Sequence, residues 1–119
     1  HGHSYKLFVT IIGDYSQTKE NNASGMVLDF KSIKEIVEKN VIQEFDHAVV
    51  LCKKSSFASA LKQTNTKLIL FDNQPTCENL IMEFHKRISS ILPNGIKLAR
   101  LQLHETATSF AEWLIEDNE

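Results

Sequence analysis

Along the chain the apolar residues recur at two spacings, alternate or every third to fourth position, and the switches between the two mark the elements. YKLFVTII, from Tyr5 to Ile12, is dense in β-branched and aromatic residues and predicts a strand that Gly13-Asp14 ends. The polar stretch from Ser16 to Ser24 reads as a hairpin-like loop. GMVLDF then resumes an extended path up to Asp29, a residue suited to accept from the free N–H groups of a following helix. Phe30, Ile33, Val37 and Val41, with Ile36 beside them, make one apolar stripe against an outer face of Lys31, Lys34, Glu35 and Glu38. This helix should end near Phe45.

Between Ser55 and Thr64 a short helix is expected, with Phe57, Ala60 and Leu61 on one face. Lys67 to Phe71 is a continuous apolar run of strand length, closed by the loop Asp72-Asn73-Gln74-Pro75. Thr76 precedes Leu80, Ile81, Phe84, Ile88 and Ile91, which makes it the N-cap of a second amphipathic helix that Pro93-Asn94-Gly95 stops. From Ile96 to Leu103 the pattern alternates, with Leu101 and Leu103 on one side and Arg100 and Gln102 on the other. Phe110 to Ile115 alternates again. The order predicts an α+β domain with two helices on one face of an antiparallel sheet.

Composition narrows this further. The 119 residues, 42% hydrophobic, fit one globular domain, and no apolar run approaches the roughly 18 residues of a membrane-spanning helix. Thirteen basic against fifteen acidic side chains, a net charge of −2, leave no basic stripe for nucleic acid. Cys52 and Cys77, in a chain with no signal peptide, point to a reducing compartment, and a soluble cytoplasmic protein is expected. Five histidines is a generous number for this length, and the chain opens on His1-Gly2-His3.

Several residue types could carry chemistry. His1 and His3, two apart at the start of a strand, project to one face and can reach a single zinc ion, or they are a frayed end or tag remnant. Asp46-His47 sets a carboxylate beside an imidazole at a helix end, suited to acid–base work near neutral pH or else a solvated dipeptide. Counting by twos from Leu101 and Leu103 puts Glu105 on the apolar face of its strand, where a carboxylate needs a cationic or multi-donor partner. The N3–H and 2-amino group of a pterin or guanine would serve; the other reading is a strand-end glutamate turned into water. Cys77, in the first turn of the second helix, is a nucleophile activated by free N–H groups or a small residue filling the helix entry. His85 faces solvent or packs at an edge, and His104, opposite to Glu105, belongs to a subunit contact.

Taken together, HGHSY, GMVLDF, FDHAVVL, QPTCEN and LHET, in this order from residue 1 to about 115, resemble the 6-pyruvoyl tetrahydropterin synthase and 6-carboxytetrahydropterin synthase family. The resemblance implies a tunnelling fold, an antiparallel four-stranded sheet with two helices on one side. Three such subunits close a twelve-stranded barrel, and two barrels stack into a hexamer. His1 and His3 would be two of three zinc ligands, Asp46 and His47 the proton-relay pair, and Glu105, followed by Thr106, the pterin anchor. Thr76, Cys77, Glu78 and Asn79 match the motif whose first residues meet the pterin, which makes Cys77 a pocket-lining residue.

By resemblance the substrate is 7,8-dihydroneopterin triphosphate, which loses triphosphate. The 6-carboxy branch, on the queuosine route, also releases acetaldehyde, whereas the 6-pyruvoyl branch retains the side chain. The 6-carboxy branch is favoured by the bacterial style of the composition. The alternatives are the 6-pyruvoyl enzyme and a non-catalytic pterin- or purine-binding assembly subunit. In the family a strand ahead of HGH supplies the third zinc histidine and a catalytic cysteine, and neither Cys52 nor Cys77 stands in that position. The single domain, 1–119, is therefore expected to lack its first strand as part of a longer protein, and the 119 residues alone are expected to turn over little.

Overall fold

The computed structural model describes residues 4–13 and 30–118. Strand β1 is Lys6–Gly13. Helix α1, Phe30–Val37, runs without a break into a π-helical segment, Glu38–Ile42, and a last turn, α2, Gln43–Phe45. Strand β2 is Val49–Cys52, α3 Ser56–Lys62, β3 Leu68–Phe71, α4 Cys77–Ile91, β4 Ile96–His104 and β5 Phe110–Leu114, with a 3₁₀ turn at Ile115–Asp117. The α+β class holds. The loop from Ser16 and the extended segment to Asp29 lie outside the described residues.

The main sheet has the order β1-β4-β5, antiparallel throughout. Among the described residues it has three of the four strands expected. One irregularity decides which side chains face inward. Thr10 pairs with Arg100 but Ile11 pairs with Leu98, so Ala99 is an extra residue in β4, a bulge. Without it, strict alternation would turn Leu101 and Leu103 away from Ile96 and Leu98. With it, all four are buried on one face.

Helix α4 covers the sheet, packing on β4 and β5 through Leu80, Ile81, Phe84 and Ile88, and Ile88 is completely buried. Thr76 is its N-cap, as its place after Pro75 predicts: the hydroxyl accepts from the Asn79 N–H at 3.1 Å. At the far end Gly95 takes φ 87°, and this left-handed turn lets Ile96 N–H reach the Pro93 carbonyl as β4 begins. The first helix packs its π segment on α4. Ile33, Val37 and Val41 are buried as the stripe predicts. A π turn displaces one i→i−4 bond, and the Asn40 side chain donates to the Ile36 carbonyl at 2.8 Å.

Two expectations are corrected here. Lys67 to Phe71 does not join the main sheet; its strand, β3, pairs in parallel with β2, a strand that the sequence pattern did not suggest. Parallel strands need a long crossover, and α3 with its flanking turns supplies it. In α3 the inward residue is Ala58, buried, with Leu61 one turn on, whereas Phe57 is 68% exposed and Ala60 is exposed. A small residue at Ala58 lets the helix lie close on the two strands, which a face built on Phe57 would prevent.

Candidate active site

The Asp46–His47 pair stands on a turn held from several sides. The α2 helix ends at Phe45, whose ring meets Phe84 at 4.9 Å and Phe71 at 6.2 Å, both edge to face, with the Arg87 guanidinium 5.0 Å above it. Arg87 is fixed in turn by Glu83 at 2.6 Å and by Glu44. After this anchor Asp46 is extended and His47 takes φ 58°, the left-handed region that a non-glycine residue enters at a cost. The Ala48 N–H donates to the Phe45 carbonyl at 3.1 Å, and the Val49 N–H to the Lys67 carbonyl at 2.8 Å. His47 Nε2 lies 3.8 Å from Asp46 Oδ1, an ion-pair distance rather than a hydrogen bond, and its side chain is 92% exposed.

These two residues line a cavity of about 610 Å³, walled also by Ser4, Tyr5, Phe45, Leu80, Phe84 and Leu103. Its volume is in the range of small-molecule sites, and its walls are largely apolar with polar groups at the rim. Ser4, the residue after His3 in the sequence, stands at its edge. His1 and His3 lie outside the described residues. Among the described residues no group of three or more His, Cys, Asp or Glu could hold a metal ion.

Tyr5 links this cavity to the second group of candidates. Burial raises its phenol above the ordinary 10.0, and the charges of Glu105 and Cys77 add to the shift. Cys77 donates through Sγ to the Leu103 carbonyl at 3.3 Å. Of the two readings of Cys77, a thiol made acidic by the helix N-terminus is not the one found: burial comes first and pushes it above 9.0, with Glu78 and Glu105 adding to the rise. It is a half-buried filler of the helix entry.

Glu105 is half-buried one residue past β4, its N–H on the Ser109 carbonyl at 2.9 Å. Thr106 is exposed, and its hydroxyl accepts from the Ser109 N–H at 3.0 Å. Thr76 and Glu78 occupy the α4 entry, with the Thr76 hydroxyl already engaged as the cap. The fold therefore brings Tyr5 to the Asp46–His47 cavity, with Cys77 and Glu105 close enough for their charges to act on its phenol; Thr76, Cys77, Glu78, Glu105 and Thr106 all lie outside the cavity lining. A second, more open groove of about 380 Å³ runs between β3 and α4 past Leu70, Met82 and Lys86, and Asp46, His47, Cys77 and Glu105 do not line it.

Tyr5 and Lys67 were missed by residue-level reasoning. Tyr5 ends the HGHSY motif but has the pattern of an ordinary strand former, and Lys67, the residue before β3, has nothing in its spacing to mark a distant acceptor. His85 takes the packed alternative, its ring 4.1 Å from that of Trp113. His104 lies half-buried between Phe110, stacked at 4.8 Å, and Phe8, edge-on at 5.3 Å.

The model of the 6-pyruvoyl tetrahydropterin synthase family matches residues 1–116. A 6-carboxy-5,6,7,8-tetrahydropterin synthase of Haemophilus influenzae is 32% identical over 117 residues, covering 95% of this chain and 80% of the relative. One of Aquifex aeolicus is also 32% identical, covering 95% and 72%. The 6-pyruvoyl tetrahydrobiopterin synthase of Homo sapiens is 27% identical, covering 89% and 60%. With the motif order, the α4-covered antiparallel sheet and a match over nearly its whole length, the chain belongs to the 6-pyruvoyl tetrahydropterin synthase family.

Proposed function

We propose that the chain is a zinc-dependent pterin lyase, a 6-carboxy-5,6,7,8-tetrahydropterin synthase that acts on 7,8-dihydroneopterin triphosphate with loss of triphosphate and acetaldehyde. The observation that carries this reading is the cavity that Asp46 and His47 line together with Ser4 and Tyr5, the end of the HGHSY motif. The names of the bacterial relatives support the 6-carboxy branch.

In this reading Glu105 accepts two parallel hydrogen bonds from the N3–H and 2-amino group of the pterin, which orients the ring. Thr76, Cys77, Glu78 and Thr106 border the ring at the α4 entry. His47 takes and returns a proton at the substrate side chain, with the Asp46 carboxylate 3.8 Å away. The apolar wall of Leu80, Phe84 and Leu103 keeps water from the far side. Two imidazoles at His1 and His3 suit zinc as a donor set, and when bound the metal supplies Lewis acidity toward the side-chain oxygens. The exposure of His47 in a single chain favours a homo-oligomer, trimer or hexamer, in which a neighbouring copy closes the cavity.

Metal analysis and incubation with 7,8-dihydroneopterin triphosphate test this. For the full-length protein one zinc per subunit with release of triphosphate and acetaldehyde is expected, and the 119 residues alone are expected to turn over little. Triphosphate without acetaldehyde would assign the 6-pyruvoyl reaction instead, and pterin binding with neither zinc nor turnover would make the chain a binding module. Glu105→Gln is expected to weaken pterin binding by about 1–3 kcal/mol, because an amide replaces a charged acceptor. Unchanged affinity would displace Glu105 as the anchor.

A further inference from the structure

We propose that Lys67 is a positioning residue for the Asp46–His47 pair, and that the excursion from β2 through α3 to β3 delivers it. The turn carries two problems. The end of a helix leaves its last carbonyls without intrahelical donors, and His47 sits at φ 58°, where side chain and backbone crowd. Lys67 meets both. Its ammonium donates to the Gln43 carbonyl, in the last helical turn, and at 2.9 Å to the Asp46 carbonyl, which belongs to the peptide that enters His47.

The peptide that leaves His47 is held as well, since the Ala48 N–H donates to the Phe45 carbonyl at 3.1 Å. With both flanking peptides tied, the left-handed conformation is fixed and the imidazole is aimed. The main chain of the same lysine adds a third hold, its carbonyl accepting from Val49 N–H at 2.8 Å. One residue thus grips the turn through its side chain before His47 and through its backbone after it. Its charge also offsets the negative end of the helix dipole. On the opposite side the Phe45 ring, clamped by Phe84, Phe71 and Arg87, prevents the helix end from retreating.

The parallel pairing is what makes this reach geometrically available. Val49 is in register with Leu68, so the residue before β3 falls beside the residues before β2, which are those of the turn. A direct connection from Cys52 to Asp72 would remove β3, and with it both holds. The catalytic part of the inference rests on the proposed role of Asp46 and His47; the conformational part does not.

The test therefore reads the two separately. Lys67→Met keeps the stem and the backbone carbonyl and removes the ammonium; Lys67→Arg restores a cationic donor; Lys62→Met, on exposed α3, controls for loss of charge. In Lys67→Met the amides of Asp46 and Ala48 are expected to exchange at least about tenfold faster, while Val49 and the α4 amides keep their protection. With the pterin triphosphate, kcat is expected to fall about tenfold at unchanged KM, with Lys67→Arg recovering most of it.

Unchanged exchange in Lys67→Met overturns the proposal, and faster exchange with unchanged kcat overturns its catalytic part. The kinetics are read in the full-length protein: if its wild type has no turnover, the proposed function fails, and the exchange comparison still decides whether Lys67 sets the turn. Should Lys67→Met not fold, the wild type supplies an independent reading. Protection of Asp46 and Ala48 comparable to that of Val49 supports the grip, and full exchange of the two overturns it.

Discussion

His85 shows how a single side chain acquires a property from its surroundings. Its ring lies against Trp113, and burial lowers its pKa below the ordinary 6.5, because the charged form loses hydration without gaining an opposite charge in return. The sign follows from linkage. The folded pKa is depressed, so the unfolded chain binds the proton more readily; the contribution to stability is complete above pH 6.5 and is lost as pH falls through the depressed folded value. Trp113 is the single tryptophan, so its fluorescence reports this titration directly. A midpoint below 6.5 is expected in the native protein, and the transition is expected to vanish in His85→Phe. At this scale the capping role of Thr76 was legible, because it follows from nearest neighbours along the chain. The partnership of Tyr5 with Glu105, across β1 and β4, was not.

Among elements, α4 carries the core. Its stripe is readable because four turns of regular spacing leave one face apolar, and Ile88 at its centre is wholly buried beneath the sheet. Ile88→Ala is expected to cost about 2–5 kcal/mol in chemical denaturation, through lost transfer energy and the cavity left behind. Ile91→Ala, at the half-buried end of the same helix, is expected to cost less; equal losses would contradict the assigned packing. The first helix was legible as a stripe but not as a helix with a π segment, since the widened turn leaves Val37 and Val41 on the same buried side. Strand β2 escaped notice because four residues cannot establish a period, and its partner lies beyond a crossover. The β4 bulge was invisible for a related reason: Ala99 fits either face.

Among the described residues one side of the main sheet is left uncovered. Helix α4 shields the inner face, while Phe8, Ile12 and Phe110 on the outer one remain about half exposed. Around them Arg100, Glu112 and Gln102 form a cross-strand network in which Arg100 holds the Glu112 carboxyl below its ordinary range. A face of this mixed character suits an assembly better than an isolated chain. Sedimentation is expected to give a mass of three or six chains, as the proposed oligomer requires; a concentration-independent monomer would remove that proposal and the closing of the His47 cavity with it. No helix among the described residues is long and apolar enough to cross a membrane.

The sequence by itself determined the α+β class, the two amphipathic helices, the Thr76 cap and the motif order that marks the family. Each of these depends on residues close along the chain, or on residue types in a fixed order. Only the tertiary structure decided that Lys67 to Phe71 leaves the main sheet for β2, that Ala99 resets the phase of β4, and that Tyr5 joins Asp46 and His47 in lining one cavity. These are contacts between segments far apart in sequence, chosen by which strand edges and helix faces meet when the core closes, and a local pattern holds no record of that choice.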